Sequence, residues 1–166
     1  MNTNRINARL ENDSLNVYNE KNELIGGIIS DSKFKNSEIN IGENKYLVSR
    51  KKWKSEILEN GKIINHLKTN SFSGNTEIME SDKKIKGVWG FKWGTKLIDH
   101  NKNVLLKIRN QKKFINNNKY ELEVYNESVS DLEILTSLYF HLYGSKMKML
   151  TVMMVIIIII IGQILN

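Results

Sequence analysis

The chain has 166 residues, enough for one ordinary domain, and it contains no cysteine, which excludes disulfide bonds and thiolate metal sites. Its net charge of +7, from 25 Lys and Arg against 18 Asp and Glu, favours anionic partners. Aromatic and β-branched residues recur at short intervals, which excludes a disordered composition and favours a strand-rich fold.

The first residues do not resemble a secretory signal. Arg5 and Arg9 are followed by no apolar run of the kind that a cleavable signal contains. We therefore expect membrane insertion, if it occurs, to depend on a later segment.

Short apolar runs separated by clusters of Asn, Gly, Asp and Lys make up most of residues 1–144. This pattern is typical of strands joined by tight turns, and it predicts a mainly β domain of about ten to twelve strands. The predicted strands are 15–18, 24–29, 38–41, 46–50, 53–58, 63–68, 76–79, 88–98, 104–109 and 119–125.

Three segments share the order of strand, polar turn, strand and closing phenylalanine. Asn60 and Gly61 in the second segment tolerate the positive φ of a type I′ turn, and Asp99 in the third can bond to its own turn backbone. Their spacing of about 40 residues indicates a hairpin used several times in one sheet or barrel, or else a chance similarity within a biased composition. The segments are 15–34, 55–72 and 95–114.

Residues 128–144 break the strand pattern, because their apolar residues follow helical spacing. Ser130 and Glu133 form a capping box and Gly144 suits a C-terminal cap, so a helix is predicted over 131–143. Ile134 and Phe140 lie outside the main apolar stripe, and the helix therefore needs partners on several sides.

The repeated turn units, above all FKWGTKLIDHNKNVLLKI from Phe91, and the helix at 131–143 resemble the tubby-like superfamily, which includes LURP-one-related proteins and phospholipid scramblases. The resemblance implies an antiparallel β-barrel of about twelve strands around a short hydrophobic helix, with a role at membranes or in phosphoinositide binding. The chain departs from that family in a second apolar segment after the helix. It also lacks a palmitoylation cysteine and an acidic calcium-binding cluster, so scramblase activity is not expected.

Residues 149–165 read MLTVMMVIIIIIIGQIL and carry no charge. As a helix this segment is about 25 Å long, slightly shorter than a hydrocarbon core of roughly 30 Å. We predict a C-terminal transmembrane helix after a basic linker at 145–148, and the alternative is a buried core helix. Lys146 and Lys148 flank the segment on its N-terminal side, which predicts a single-pass protein with its N-terminal domain in the cytoplasm.

Three basic clusters are candidate binding sites for anionic lipid headgroups. On the membrane side of the fold, each basic residue would contribute about 1 kcal/mol, and the alternative is a scattered solvated surface. No nucleic-acid-binding module is recognisable, so nucleic acid is not an expected partner. The clusters are Arg50, Lys51, Lys52 and Lys54; Lys83, Lys84 and Lys86; and Arg109, Lys112 and Lys113.

The stretch GVWGFKWG at 87–94 places Trp89, Phe91 and Trp93 on one face of a predicted strand. Such a row could lie at the headgroup level of a membrane or line a ligand groove. The alternative is a core-facing strand whose glycines permit close packing.

No catalytic motif and no cofactor-binding motif is recognisable, so neither an enzyme nor a cofactor is expected. His66, His100 and His141 have no ligand spacing, and a metal site is not expected either. Gly26 and Gly27 lie within a strand pattern and indicate a bulge instead of a phosphate-binding loop.

These observations favour a membrane-anchored cytoplasmic β-domain that binds anionic lipid headgroups or a protein partner. One alternative is a structural or assembly subunit of a membrane complex. Another is an enzyme whose active site is dispersed over the barrel.

Overall fold

The computed structural model describes residues 3–70, 73–87, 94–112 and 118–164, except for the side chains of 148–152, 155, 156, 159 and 162–164. Within these residues the chain forms twelve strands and then one helix. The strands are β1 (Asn4–Glu11), β2 (Ser14–Tyr18), β3 (Leu24–Ser30), β4 (Asn36–Ile41), β5 (Asn44–Lys51), β6 (Lys54–Glu59), β7 (Lys62–Thr69), β8 (Thr76–Ile78), β9 (Lys84–Lys86), β10 (Thr95–Ile98), β11 (Val104–Asn110) and β12 (Lys119–Val124), and the helix is α1 (Asp131–Ile164).

Each strand pairs antiparallel with the next, and β1 pairs with β12, so the sheet closes into a barrel. The prediction of a mainly β, twelve-stranded antiparallel barrel is therefore confirmed. Because consecutive strands are neighbours, their connections alternate between the two ends of the barrel. The chain leaves β12 at one end, here called the far end, and α1 runs back through the barrel to the other, here called the exit end.

The three predicted hairpin segments form β2–β3, β6–β7 and β10–β11. Asn60 and Gly61 have φ values of 51° and 79°, as a type I′ turn requires. In the third hairpin, the carboxylate of Asp99 accepts a hydrogen bond from the amide of Asn103 at 2.8 Å. The turn residues of the second and third hairpins thus behave as the sequence predicts, and each of the three strand pairs also contains one shift of register.

The first part of α1 fills the barrel. Every second residue of the strands points inward, and the helix is covered on all sides, because Leu135, Leu138, Tyr139 and Phe140 are fully buried. Ile134, which lies away from the main apolar stripe, is also buried. The barrel thus supplies the partners that the sequence requires on several sides of this helix.

The N-terminus of α1 has the predicted capping box. The amide of Glu133 donates to Ser130 Oγ at 3.3 Å, and the amide of Ser130 donates to Glu133 Oε2 at 3.0 Å. The predicted C-terminal cap at Gly144 is wrong, because α1 continues through this residue to Ile164. A glycine inside a helix costs only about 1 kcal/mol relative to alanine, which the hydrogen bonds of the continuing helix offset.

Residues 145–148, predicted as a basic linker, are helical and belong to α1. Of the segment predicted as a transmembrane helix over 149–165, residues 149–164 are the last part of a helix that begins inside the barrel, and Leu165 lies outside the described residues. Within the described part of the chain, no helix combines the length and the apolar character that crossing a membrane requires.

Candidate functional site

The loop between β3 and β4, residues 31–35, closes the barrel where α1 leaves it. The carboxylate of Asp31 accepts hydrogen bonds from the amides of Lys33, Lys35 and Asn36 at 2.8, 3.0 and 3.1 Å. These amides, with that of Asn36 foremost, hold the pKa of Asp31 below its usual value. The ionised carboxylate therefore fixes the shape of the loop.

Phe34 in this loop packs against two tyrosines of α1. Its ring centroid lies 5.8 Å from that of Tyr139 and 6.3 Å from that of Tyr143. The Tyr139 hydroxyl donates to the Phe34 carbonyl at 2.9 Å, and burial raises the pKa of Tyr139 to about 12. This hydroxyl consequently keeps its proton and remains a donor at neutral pH.

Arg50 at the end of β5 ties the loop to the helix. Its Nε donates to the Phe34 carbonyl at 2.9 Å, and its guanidinium carbon lies 4.1 Å from the centroid of the Tyr143 ring. Its two terminal nitrogens donate to the Lys33 carbonyl at 3.0 Å and to the Tyr143 hydroxyl at 3.2 Å. The side chain of Arg50 therefore joins the β3–β4 loop to α1, and its positive charge lies at the exit end.

Lysines cluster beside this exit point. Lys146 of α1 donates to the Ser32 carbonyl, and its Nζ lies 5.6 Å from the centroid of the Phe34 ring. The other lysines are exposed side chains of the β3–β4 loop and of the β5–β6 hairpin tip. We call the set the basic rim, which consists of Lys33, Lys35, Arg50, Lys51, Lys52, Lys54 and Lys146.

The β5–β6 hairpin tip carries an exposed tryptophan between its lysines. Trp53 is 40% exposed and follows Lys52, whose φ of 56° turns the chain. A tryptophan flanked by lysines at one surface is the composition that favours the headgroup level of a membrane.

The two ends of the barrel differ in charge. In the exit-end connections, the described acidic residues are Asp13 and Asp31, against the lysines at 33, 35, 52 and 112. In the far-end connections, acidic residues outnumber the lysines at 21, 83 and 102. The acidic residues are Glu20, Glu23, Glu43, Glu80, Asp82, Asp99 and Glu127. The barrel therefore has a basic end and an acidic end.

The structure divides the predicted basic clusters. The first cluster, at 50–54, lies wholly at the exit end, as do Lys86 at the end of β9 and Lys112 after β11. Lys83 instead lies at the far end, where its Nζ contacts both carboxylate oxygens of Glu133 at 2.8 and 2.9 Å. Lys84 donates to Glu77 at 2.8 Å. The second cluster is thus separated, because β9 runs from the far end to the exit end.

The remaining candidate residues lie on the barrel wall or outside the described residues. Arg109 contacts Glu121 at 2.9 Å and Glu123 at 3.2 Å on the outer face of β11 and β12. Lys113, Trp89, Phe91 and Trp93 fall outside the described residues, as does the side chain of Lys148. Sequence reasoning did not identify Lys33 and Lys35 as candidate residues. They flank Phe34 in the connection between the predicted strands 24–29 and 38–41, and that connection was the signal that could have found them.

Beyond the basic rim, α1 continues as an apolar helix. We call residues 147–164 the apolar extension, and its described side chains beyond Met147 are about half exposed or more. They are Met153, Met154, Ile157, Ile158, Ile160 and Ile161. The sequence of 149–161 is apolar apart from Thr151, so this stretch has no polar face that would suit water.

His141 is buried inside the barrel with a partner for each ring nitrogen. Its Nδ1 lies 2.8 Å from Thr95 Oγ1, and its Nε2 lies 2.8 Å from Asn110 Oδ1. The Tyr120 ring packs edge-on against the imidazole at 5.6 Å. His141 therefore joins α1 to β10 and β11 at the exit half of the barrel.

No protein-family model and no curated protein matches the sequence. Among solved structures, the chain is similar to the X-ray structure of a protein from Arabidopsis thaliana, with a TM-score of 0.57 and 9% sequence identity. The alignment covers 83% of this chain and 88% of that chain. At this identity the likeness shows a shared fold alone, and the assignment to the tubby-like superfamily has no support from family models or from sequence.

Proposed function

We propose that this protein associates with membranes, with its basic rim on anionic lipid headgroups and its apolar extension among lipid chains. The observation that carries the proposal is the placement of both features at one end of the barrel. A helix that emerges beside a cluster of lysines brings positive charge and apolar surface to the same end of the molecule, a combination that suits an anionic membrane surface.

Electrostatics favours this orientation. Each lysine near an anionic surface contributes about 1 kcal/mol, and the attraction decays within a Debye length of about 8 Å at physiological salt. The acidic far end would lie well beyond that distance and would be repelled if the barrel were inverted. The basic end thus attracts the protein to the anionic membrane, and the repulsion of the acidic end orients it there.

The apolar extension favours lipid over water. Apolar surface removed from water gains roughly 25 cal/mol per Å², and the exposed isoleucines and methionines present such surface. Insertion among lipid chains would cover these side chains without a helix that crosses the bilayer. The cytoplasmic leaflet is rich in anionic lipids, so the lysines of the basic rim favour the cytoplasmic face of the membrane.

Membership of the tubby-like superfamily is part of this proposal. A barrel closed around a hydrophobic helix is the arrangement that the resemblance implies. The proposed membrane association rests on the basic rim and the apolar extension and does not depend on that membership.

The test compares two triple variants of the full chain, diluted from detergent into vesicles of phosphatidylcholine with phosphatidylserine. Lys33→Gln, Lys35→Gln and Lys52→Gln remove three charges from the rim. Lys21→Gln, Lys62→Gln and Lys102→Gln remove three exposed charges from the far end. Lys102 has a positive φ of 67°, as Lys52 has, so each variant changes one lysine in this backbone conformation.

At about 1 kcal/mol for each lysine, the rim variant should bind on the order of 100-fold more weakly. The far-end variant should bind within about threefold of the unmodified chain. Equal losses in the two variants would contradict the proposed orientation.

Neutral phosphatidylcholine vesicles test the apolar extension. Changing Ile157, Ile158, Ile160 and Ile161 to serine should abolish binding to these vesicles, whereas the rim variant should still bind. A full chain that binds neither kind of vesicle would overturn the proposal and favour the assembly-subunit alternative.

A further inference from the structure

We propose that Ser32 is a phosphorylation site that weakens the binding of the exit end to anionic membranes. The inference rests on the proposed function, because it concerns regulation of the same surface. The modification would place a phosphate where α1 leaves the barrel.

The position of Ser32 carries the first step. Ser32 is exposed in the β3–β4 loop, and its carbonyl accepts the hydrogen bond from Lys146. The Asp31 carboxylate bonds to the amides of Lys33, Lys35 and Asn36 and thereby fixes the loop around it. Ser32 is thus presented on an ordered loop within the basic rim, beside Lys33 and Lys146.

Other serines are less suited to this role. Ser30, Ser49 and Ser145, which lie near the rim in sequence, are only partly exposed. Ser37 is buried, and the hydroxyl of Ser73 accepts a hydrogen bond from the amide of Asn75 at 3.3 Å within its own turn. Ser81 and Ser128 lie in far-end connections, away from the basic rim. Among these serines, Ser32 combines exposure with a place in the rim.

The residues after Ser32 suit a serine kinase whose substrate groove is acidic on that side, whereas Asp31 precedes it with a carboxylate held by the loop amides. Lys33 follows the serine directly and Lys35 lies three residues after it, both with exposed side chains. In the reaction, Ser32 Oγ forms a bond to the γ-phosphorus of a nucleoside triphosphate, and the bond from that phosphorus to the β-phosphate oxygen breaks. The hydroxyl proton passes to a base of the kinase, and the nucleoside diphosphate leaves.

The product changes the charge of the rim in two ways. A phosphoserine adds a charge of about −1.5 to −2 at pH 7. Its oxygens would also accept charge-assisted hydrogen bonds from Lys33 and Lys146, which would direct those ammonium groups toward the protein. Loss of the attraction of two or more charges should weaken binding to anionic vesicles roughly tenfold or more.

The experiment uses the full chain with phosphoserine incorporated at position 32 or, as the matched control, at exposed position 128. Binding to phosphatidylserine-containing vesicles should fall tenfold or more for the first protein and by less than about twofold for the second. In parallel, a purified kinase that prefers basic substrates, with ATP, should modify Ser32, located by mass spectrometry, and leave the Ser32→Ala variant unmodified there.

The results separate the two proposals. If the unmodified chain binds anionic vesicles but the protein with phosphoserine at 32 binds equally well, the switch is wrong and the proposed function stands. Modification that avoids Ser32 also overturns the switch. If the unmodified chain does not bind anionic vesicles, the proposed function and the switch both fail.

Discussion

Two buried threonines of the barrel interior differ in the surroundings of their hydroxyls. Thr76 Oγ1 lies 2.9 Å from Thr69 Oγ1. Thr136 Oγ1 has no hydrogen-bond partner among the described residues, and Thr136 lines a cavity of about 50 Å³ beside Leu132 and Leu67. The same substitution at the two positions therefore separates a hydrogen bond from the volume of a side chain.

We expect Thr76→Val to lower the free energy of unfolding by about 1 to 2 kcal/mol, because it leaves the Thr69 hydroxyl buried without its partner. Thr136→Val should change it by less than about 0.5 kcal/mol or raise it, because valine keeps the shape and removes an unsatisfied hydroxyl. Denaturant unfolding of both variants provides the measurement. Equal losses would show that Thr136 is hydrogen-bonded in solution.

The stability of the protein at low pH depends in part on the carboxylate of Glu11 and on its hydrogen bond with one tyrosine. Hydrogen bonds from Tyr18 above all, then from Asn16 and Arg9, lower the pKa of Glu11 from 4.5 to about 2. The Tyr18 hydroxyl lies 2.5 Å from Glu11 Oε2. Because the folded pKa is lowered, the contribution of Glu11 to stability is present above pH 4.5 and is lost as the pH falls toward 2.

We expect Tyr18→Phe to raise the pKa of Glu11 toward 4.5 and to flatten the acid-side decline of stability between these two pH values. An NMR titration of the Glu11 carboxyl carbon measures the change. Tyr125→Phe is the control, because the Tyr125 hydroxyl bonds to Glu123 instead. A Glu11 pKa that stays near 2 in the Tyr18 variant would refute the assignment.

At the scale of elements, β3 and α1 pack closely at a glycine. A Cβ on Gly26 would lie 2.4 Å from the Asn40 carbonyl oxygen and 3.1 Å from Leu135 Cδ2. A Cβ on Gly27 would instead meet the ends of two short side chains, Asn16 Oδ1 and Ser14 Oγ, each at 2.9 Å. The contacts at Gly26 involve backbone and the helix, whereas side-chain ends can turn away.

We expect Gly26→Ala to destabilise the protein by about 1 to 3 kcal/mol through overpacking between β3, β4 and α1. Gly27→Ala should cost less than about 1 kcal/mol, because its neighbours can adopt other rotamers. Thermal or denaturant unfolding of the two variants tests the difference. A larger loss for Gly27 would mean that the helix does not press on β3 at Gly26.

The strands that sequence reasoning found are those with turn chemistry or β-branched alternation around them. β1 escaped detection because its inward residues, Ile6 and Ala8, alternate weakly with Asn and Arg. β9 has only three residues, too few to show a period. The capping box at Ser130 fixed the start of α1, but Gly144 could not fix its end, because a glycine permits a helix to stop without requiring it.

At the scale of the whole molecule, the candidate site could be predicted only in part. The cluster at 50–54 is local in sequence and was visible as such. Its union with the β3–β4 loop and Lys146 depends on the alternating up-and-down order of the strands and on the direction of α1. The separation of Lys83 from Lys86 has the same origin, since neighbours in sequence can lie toward opposite ends of a strand.

The uninterrupted course of α1 from the capping box past the basic rim has a mechanical consequence. From Asp131 to Lys146 the helix rises about 22 Å, at 1.5 Å per residue, so the acidic end would be held at that stand-off from any surface that the rim touches. Because α1 is not interrupted at Gly144, a tilt or rotation of the apolar extension within a bilayer would turn the barrel by the same angle. The barrel and the apolar extension would then move as one rigid body. A partner bound at the acidic end would be held at a fixed distance from the lipid and in a fixed orientation.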